Sequence, residues 1–216
     1  MPKKLNLGLL LLVSVVTIII GLLLKWKFGG DWYEFAGFST GVVGVYLVAV
    51  EHISNWPMGL ANVAIYAWVF FTSRLFADMS LQFFFFALGV QGWIQWARGG
   101  EGKTQLSISR IPNNSWGALL LIQIAGTAIY YPIIKHFNGA APFIDSSLTV
   151  ASIIAQLLLN FKKLENWMIW IAVDIIYIPL YISRGLVATA VLYGLLLALT
   201  ISGLFAWQRT HKLATA

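Results

Sequence analysis

Asp174 is the one carboxylate of this chain that falls well inside a long apolar run, Trp167 to Ile182. Holding an ionised group in hydrocarbon costs about 2.5 to 3.5 kcal/mol even on the lenient insertion scale, so an acid there is expected to serve a purpose. On a helix Trp167, Trp170, Asp174 and Tyr177 stand at i, i+3, i+7 and i+10 and share one face. Two indoles one turn apart offer stacking surfaces, and a carboxylate one turn deeper supplies negative charge. A flat cationic ring would gain both charge pairing and cation–π attraction on such a face. The competing reading assigns Trp167 to an interfacial aromatic belt and lets Asp174 bond a neighbouring helix.

Buried amides raise the same question, because they too need partners in lipid. Gln82, Gly89, Trp93 and Trp96 form one helical stripe, with Gln91 and Gln95 on another. The first stripe could supply hydrogen bonds to a ligand, with Gly89 leaving room beside Trp93, or it could simply join helices. Asn62 and Gln156 are similar candidates, for which an interhelical amide bond is the alternative. Asn55 and Asn166 precede tryptophans at helix starts and are expected to act as caps.

Catalytic chemistry finds little to work with. His52, His136 and His211 sit at the ends of apolar runs, without the spacing of a metal site. There is no Walker-type phosphate loop, no nucleophile elbow and no carboxylate pair within an apolar run. With zero cysteines, thiol catalysis and iron–sulfur clusters are excluded, and no cofactor is expected. An intramembrane enzyme using Asp174 as acid or base would lack a second group. A structural or regulatory membrane subunit is a third class.

The elements that must position these residues are apolar helices. Of 216 residues 59% are hydrophobic and 10% charged, with mean hydropathy +0.80, a composition that excludes an ordinary soluble enzyme. Long runs without alternation exclude a β-barrel and predict an all-α polytopic membrane protein. Eight spans are expected, at about 5–24, 35–50, 56–71, 81–96, 116–137, 148–159, 167–182 and 186–207. The first is read as a retained anchor rather than a signal peptide. Arg74 and Asp78 are expected to mark a turn, Pro142 and Asp145 a loop, and 98–114 is the longest polar loop. Placing Lys3, Lys4, Arg98, Lys103, Arg110, Lys162, Lys163, Arg209 and Lys212 on the terminal side, against Lys25, Lys27, Arg74, Lys135 and Arg184, predicts cytoplasmic termini.

A shift of 111 residues lays Asn55 to Trp96 over Asn166 to Trp207 without a gap. Identical pairs include Asn55/Asn166, Trp56/Trp167, Tyr66/Tyr177, Gly92/Gly203 and Trp96/Trp207. The coincidence of these distinctive residues in register predicts a duplication. Each unit then holds three helices, with one helix between the units. Three reversals followed by a fourth leave the units running the same way, as two parallel three-helix bundles with a site near the midplane between them. The expected division is 1–30 as an N-terminal transmembrane anchor, 31–97 as the first repeat, 98–140 as loop and linker helix, 141–208 as the second repeat, and 209–216 as a polar tail.

Ile53-Ser54-Asn55, the aromatic run after Leu81-Gln82 ending in Gly92-Trp93-x-x-Trp96, and Trp167-x-x-Trp170 after Glu165-Asn166 resemble the PnuC family of bacterial vitamin transporters. The resemblance spans most of the chain. It implies a SWEET-like 3+1+3 arrangement with an extra N-terminal helix, a homotrimer in the bacterial inner membrane, and facilitated diffusion of nicotinamide riboside trapped by a cytoplasmic kinase. Thiamine, and after it riboflavin or a deoxyribonucleoside, are alternative cargoes on the same scaffold. The resemblance also implies that the Trp167-x-x-Trp170 motif binds substrate. The expected substrate-binding set is Trp167, Trp170, Asp174, Tyr177, Gln82, Trp93, Asn62 and Gln156, with no catalytic or metal-binding residue.

Overall fold

The computed structural model describes residues 5–29, 31–72, 76–136, 141–183, 185 and 187–215. They form eight α-helices: α1 (Leu7–Phe28), α2 (Trp32–Ala49), α3 (Asn55–Thr72), α4 (Phe76–Arg98), α5 (Ser115–His136), α6 (Pro142–Asn160), α7 (Asn166–Ser183) and α8 (Val187–Thr215). By length and composition α1 and α5 to α8 suffice to cross a membrane, whereas α2, α3 and α4 fall short of that apolarity. Their glycines, amides and Glu34 lower it, and α2 and α3 use such residues to pack closely. Met58, Asn62 and Tyr66 of α3 lie against Gly44, Gly41 and Gly37 of α2.

Several boundaries differ from those expected. Pro142 does not sit in a loop but opens α6 at a first-turn position, where its missing N–H costs nothing, and Asp145 lies in that first turn, on the favourable side of the helix dipole. Asp78 lies within α4 rather than in a turn, and Arg74 lies outside the described residues. The segment after Trp207 continues α8 to Thr215 instead of leaving it as a tail.

Helices pack in the cyclic order α2, α3, α4, α6, α7, α8 and back to α2, so α3 and α7 stand opposite each other in a six-membered ring. Outside the ring α1 lies on α2 and α5 on α6. Phe35 and Phe38 press on Gly21 in the first contact and Val150 presses on Gly126 in the second.

The duplication recurs in the hydrogen bonds. Trp96 Nε1 donates to Leu159 O at 3.0 Å, and Trp207 Nε1 donates to Val48 O at 3.1 Å. Both donors and both acceptors are related by the 111-residue shift, and each bond crosses from one unit to the other. Asn55 Nδ2 donates to His52 O and Asn166 Nδ2 to Lys163 O. These asparagines therefore lock the preceding turn by donating, rather than capping by acceptance. The same end of each unit enters one cluster, in which Trp56 meets Trp96, and Trp167 meets Trp207, at 5.4 Å and 88°, and Trp96 meets Trp207 at 5.8 Å.

The polar segment 98–114 is docked rather than loose. Ser109 pairs with the α6–α7 turn through Ser109 N to Lys162 O and Leu164 N to Ser109 O. Glu165, buried at 3% exposure, accepts from Arg110 Nε and from Ile111 N, both at 3.0 Å. Replacing Glu165 with alanine leaves the Ile111 N–H unpaired and is expected to cost about 1.5 to 3 kcal/mol. The check is limited trypsin digestion, in which cleavage after Lys103 and Arg110 should become much faster than in the wild type.

Candidate functional site

The face of α7 that carries the candidate residues points into the ring. Met168, Ile175, Ile176 and Ile182 are 45 to 58% exposed and mark its outer side. On the opposite side Trp167 and Asp174 are buried, and Trp170 and Tyr177 are half-buried. At about 1.5 Å of rise per residue, Trp170, Asp174 and Tyr177 form three levels about 4.5, 10.5 and 15 Å along the helix from Trp167.

Trp167 belongs to the four-tryptophan cluster, with its ring against Trp207 and pressed onto Gly203. A Cβ at residue 203 would overlap that indole, as one at Gly92 would overlap Trp56. The two indoles of the motif thus have different surroundings, and Trp170 is the half-buried one. Asp174 is fixed by α8, where Thr200 Oγ1 donates to Asp174 Oδ2 at 3.2 Å. Farther along, Tyr177 stacks on Tyr181 at 5.2 Å and 16°, and Tyr193 of α8 lies 4.9 Å from Tyr177 and 5.1 Å from Tyr181. The interior is therefore bounded by indoles at one end and phenols at the other, with Trp170 and Asp174 between them.

The amides lie elsewhere. Asn62 Nδ2 donates to Gly37 O at 2.7 Å and to Thr40 Oγ1 at 3.0 Å, which joins α3 to α2. Gln156 Nε2 donates to Asn160 Oδ1 at 2.9 Å, while Asn160 Nδ2 donates to Leu88 O and Gln91 Oε1 of α4. Gln82 lines a groove between α3 and α4 with Val63, Ala67, Phe71, Phe83 and Phe86. Phe71, Phe83 and Phe86 are 52, 64 and 44% exposed, so this groove opens on the outer side, and Trp93, at 39%, also stands away from the interior. The structure thus brings Trp170, Asp174 and Tyr177 together but not Gln82 and Trp93. A helical stripe fixes which residues share a face, and it does not fix which way that face turns.

Three features were not anticipated from the sequence. Asn160 ties α6 to α4, and Glu165 anchors the 98–114 segment. Glu51 and Lys162 form a cross-unit ion pair, with Lys162 Nζ 3.3 Å from Glu51 Oε2 and 4.4 Å from the centroid of Trp96. Extending the repeat four residues upstream of Asn55 would have aligned these two opposite charges.

Comparison with known proteins agrees with this architecture. Residues 31–209 match the profile of the family described as nicotinamide mononucleotide transporter. The nicotinamide riboside transporter PnuC of Escherichia coli K12 is 28% identical, with 84% of this chain and 87% of the relative covered. The riboflavin/roseoflavin transporter RibM of Streptomyces davaonensis is 23% identical over 82% of this chain and 84% of its own. The crystal structure of the vitamin B3 transporter PnuC has the same fold, with a TM-score of 0.76, 24% identity and coverage of 94% and 92% of the two chains. With an all-helical ring, an interior acid and a family match over most of its length, the chain belongs to the PnuC, or nicotinamide mononucleotide transporter, family and is a multi-pass membrane transporter rather than an enzyme.

Proposed function

We propose that this protein is a facilitator for a vitamin B-type molecule, with nicotinamide riboside as its substrate. The supporting observation is the interior face of α7, where a half-buried Trp170 stands one turn from a buried Asp174. A pyridinium ring carries a fixed positive charge on a flat π-system, and such a face offers it stacking and charge pairing together. Tyr177 closes the ring pocket on the phenolic side. Trp167, Asn62 and Gln156 hold the helices that shape it, and Gln82 and Trp93 are assigned no direct contact.

Residues 31–97 and 141–208 act as two parallel bundles related by an axis along the membrane normal, joined through 98–140, with 1–30 forming a peripheral helix. All eight helices span the bacterial inner membrane, both termini are cytoplasmic, and the working form is a homotrimer. The bundles rock about the site, exposing it first to one side and then to the other. Nothing in this cycle supplies energy, so flux follows the gradient in either direction, and net uptake depends on a cytoplasmic kinase that phosphorylates the arriving vitamin.

Thiamine shares the cationic ring and is the main competitor, while similarity to RibM makes riboflavin the neutral one. Counterflow in proteoliposomes loaded with unlabelled nicotinamide riboside should accumulate the labelled riboside. Excess thiamine should compete weakly and riboflavin least. Exchange of another vitamin without exchange of the riboside would overturn the substrate assignment.

A further inference from the structure

Three repeat-related pairs at and beside the interior differ between the units in the same direction. Across the 111-residue shift, Trp170 corresponds to Gly59, Asp174 to Val63 and Thr200 to Gly89. At these three pairs the second unit carries an indole, a carboxylate and a hydroxyl where the first has a small or apolar residue, whereas the inward phenol is kept in both units as Tyr66 and Tyr177. The Asp174–Thr200 bond that joins α7 to α8 has no counterpart, because on the first unit Leu60 of α3 presses directly on Gly89 of α4.

Gly59 faces inward. On α3 the outer side carries Pro57, Ala61, Ala64, Trp68 and Phe71, all exposed, and Asn55, Gly59, Asn62 and Tyr66 lie opposite. Residues Trp56 and Leu60 meet α4, and Met58, Asn62 and Tyr66 meet α2, so Gly59 sits between the two contacts. A Cβ built there finds no protein atom within 4 Å. Because α3 and α7 are opposite in the ring, and both residues stand three positions past a clustered tryptophan, Gly59 and Trp170 face each other across the interior at the same depth.

We propose that Gly59 is a specificity-determining position whose missing side chain provides the space for a planar cationic ring lying off the pseudo-symmetry axis on Trp170. The proposal rests on the vitamin-carrier reading above. It predicts that side chains at position 59 compete with the ligand for that space and leave the protein's own packing undisturbed.

The test uses full-length protein in detergent, with nicotinamide riboside as the probe in isothermal titration calorimetry and melting temperature as a control. Gly59→Leu should weaken binding by about tenfold to a hundredfold, the scale of an overfilled packed site. Gly59→Ala, which favours the helix, should weaken it by about threefold with an unchanged or raised melting temperature. Gly194→Leu, at another open helical glycine on the exposed side of α8, should bind as wild type. Wild-type affinity in both Gly59 variants would overturn the proposal, and if the leucine variant did not fold, the alanine variant alone would decide it. Failure of the wild type to bind the riboside, thiamine or riboflavin would instead overturn the vitamin-carrier reading.

Discussion

Replacing Trp170 by alanine is expected to raise the dissociation constant for nicotinamide riboside by about 10- to 100-fold while leaving the fold intact. Stacking of one planar base on an aromatic side chain is worth about 1 to 3 kcal/mol, and each 1.4 kcal/mol is tenfold in affinity. The positive ring adds a cation–π contribution that indole supplies better than benzene, so Trp170→Phe should recover only part of the loss. Trp167→Ala should behave in the opposite way. That indole is 1% exposed and packed on Trp207 and Gly203, so its removal should cost about 3 to 5 kcal/mol of stability, read as a fall in melting temperature. Calorimetry and thermal denaturation on the two variants separate the roles. Unchanged riboside affinity in Trp170→Ala, with full occupancy of the purified protein, would remove Trp170 from the site.

The difference between these two tryptophans marks where sequence reasoning stopped. Helical spacing placed Trp167, Trp170, Asp174 and Tyr177 on one face, and the structure turns that face inward. Spacing could not reveal that Trp167 would be covered by Trp207, because that contact joins α7 to α8 and depends on Gly203 admitting the indole. The matching Asn-Trp and Gly-x-x-x-Trp elements did carry that information, since the same glycine and tryptophan recur at Gly92 and Trp96 against Trp56. A repeated glycine four residues before a repeated tryptophan signals a packing socket as much as a ligand wall.

Gln82 and Trp93 show the converse. On α4 the interior and the outer side each receive aromatic and amide residues, and composition does not distinguish a ring facing a ligand from one facing lipid. The twin position does not distinguish them either, because Gln82 corresponds to Tyr193, whose ring packs on Tyr177 and Tyr181 at the interior. Helix starts were missed at Pro142 and Phe76 because polar residues in a first turn resemble a loop when only apolar runs are counted. The ring order itself rests on cross-unit contacts such as Asn160 to Gln91, which no local pattern encodes.

Exchanging the charges of Glu51 and Lys162 should show how far the duplication extends into energetics. Each residue ends its helix with positive φ, 59° and 47°, a conformation usually left to glycine, and each reaches across to the other unit. Their side chains are 12% and 4% exposed, so removing one partner takes the opposite charge away from a largely buried one. Lys162→Ala or Glu51→Ala should therefore cost about 3 to 5 kcal/mol, and the single reversals, which bring like charges together, should cost at least as much. The double exchange Glu51→Lys with Lys162→Glu should recover most of the loss. The matching positive φ gives each charge the backbone of its twin, and across the 111-residue shift a lysine at position 51 would have Trp207 where Lys162 now has Trp96. Thermal denaturation of the two single reversals and the double exchange against the wild type measures the coupling directly. If the double exchange were as unstable as the single reversals, the two helix ends would be equivalent in backbone only, and the units would have diverged in the environment they give a charge.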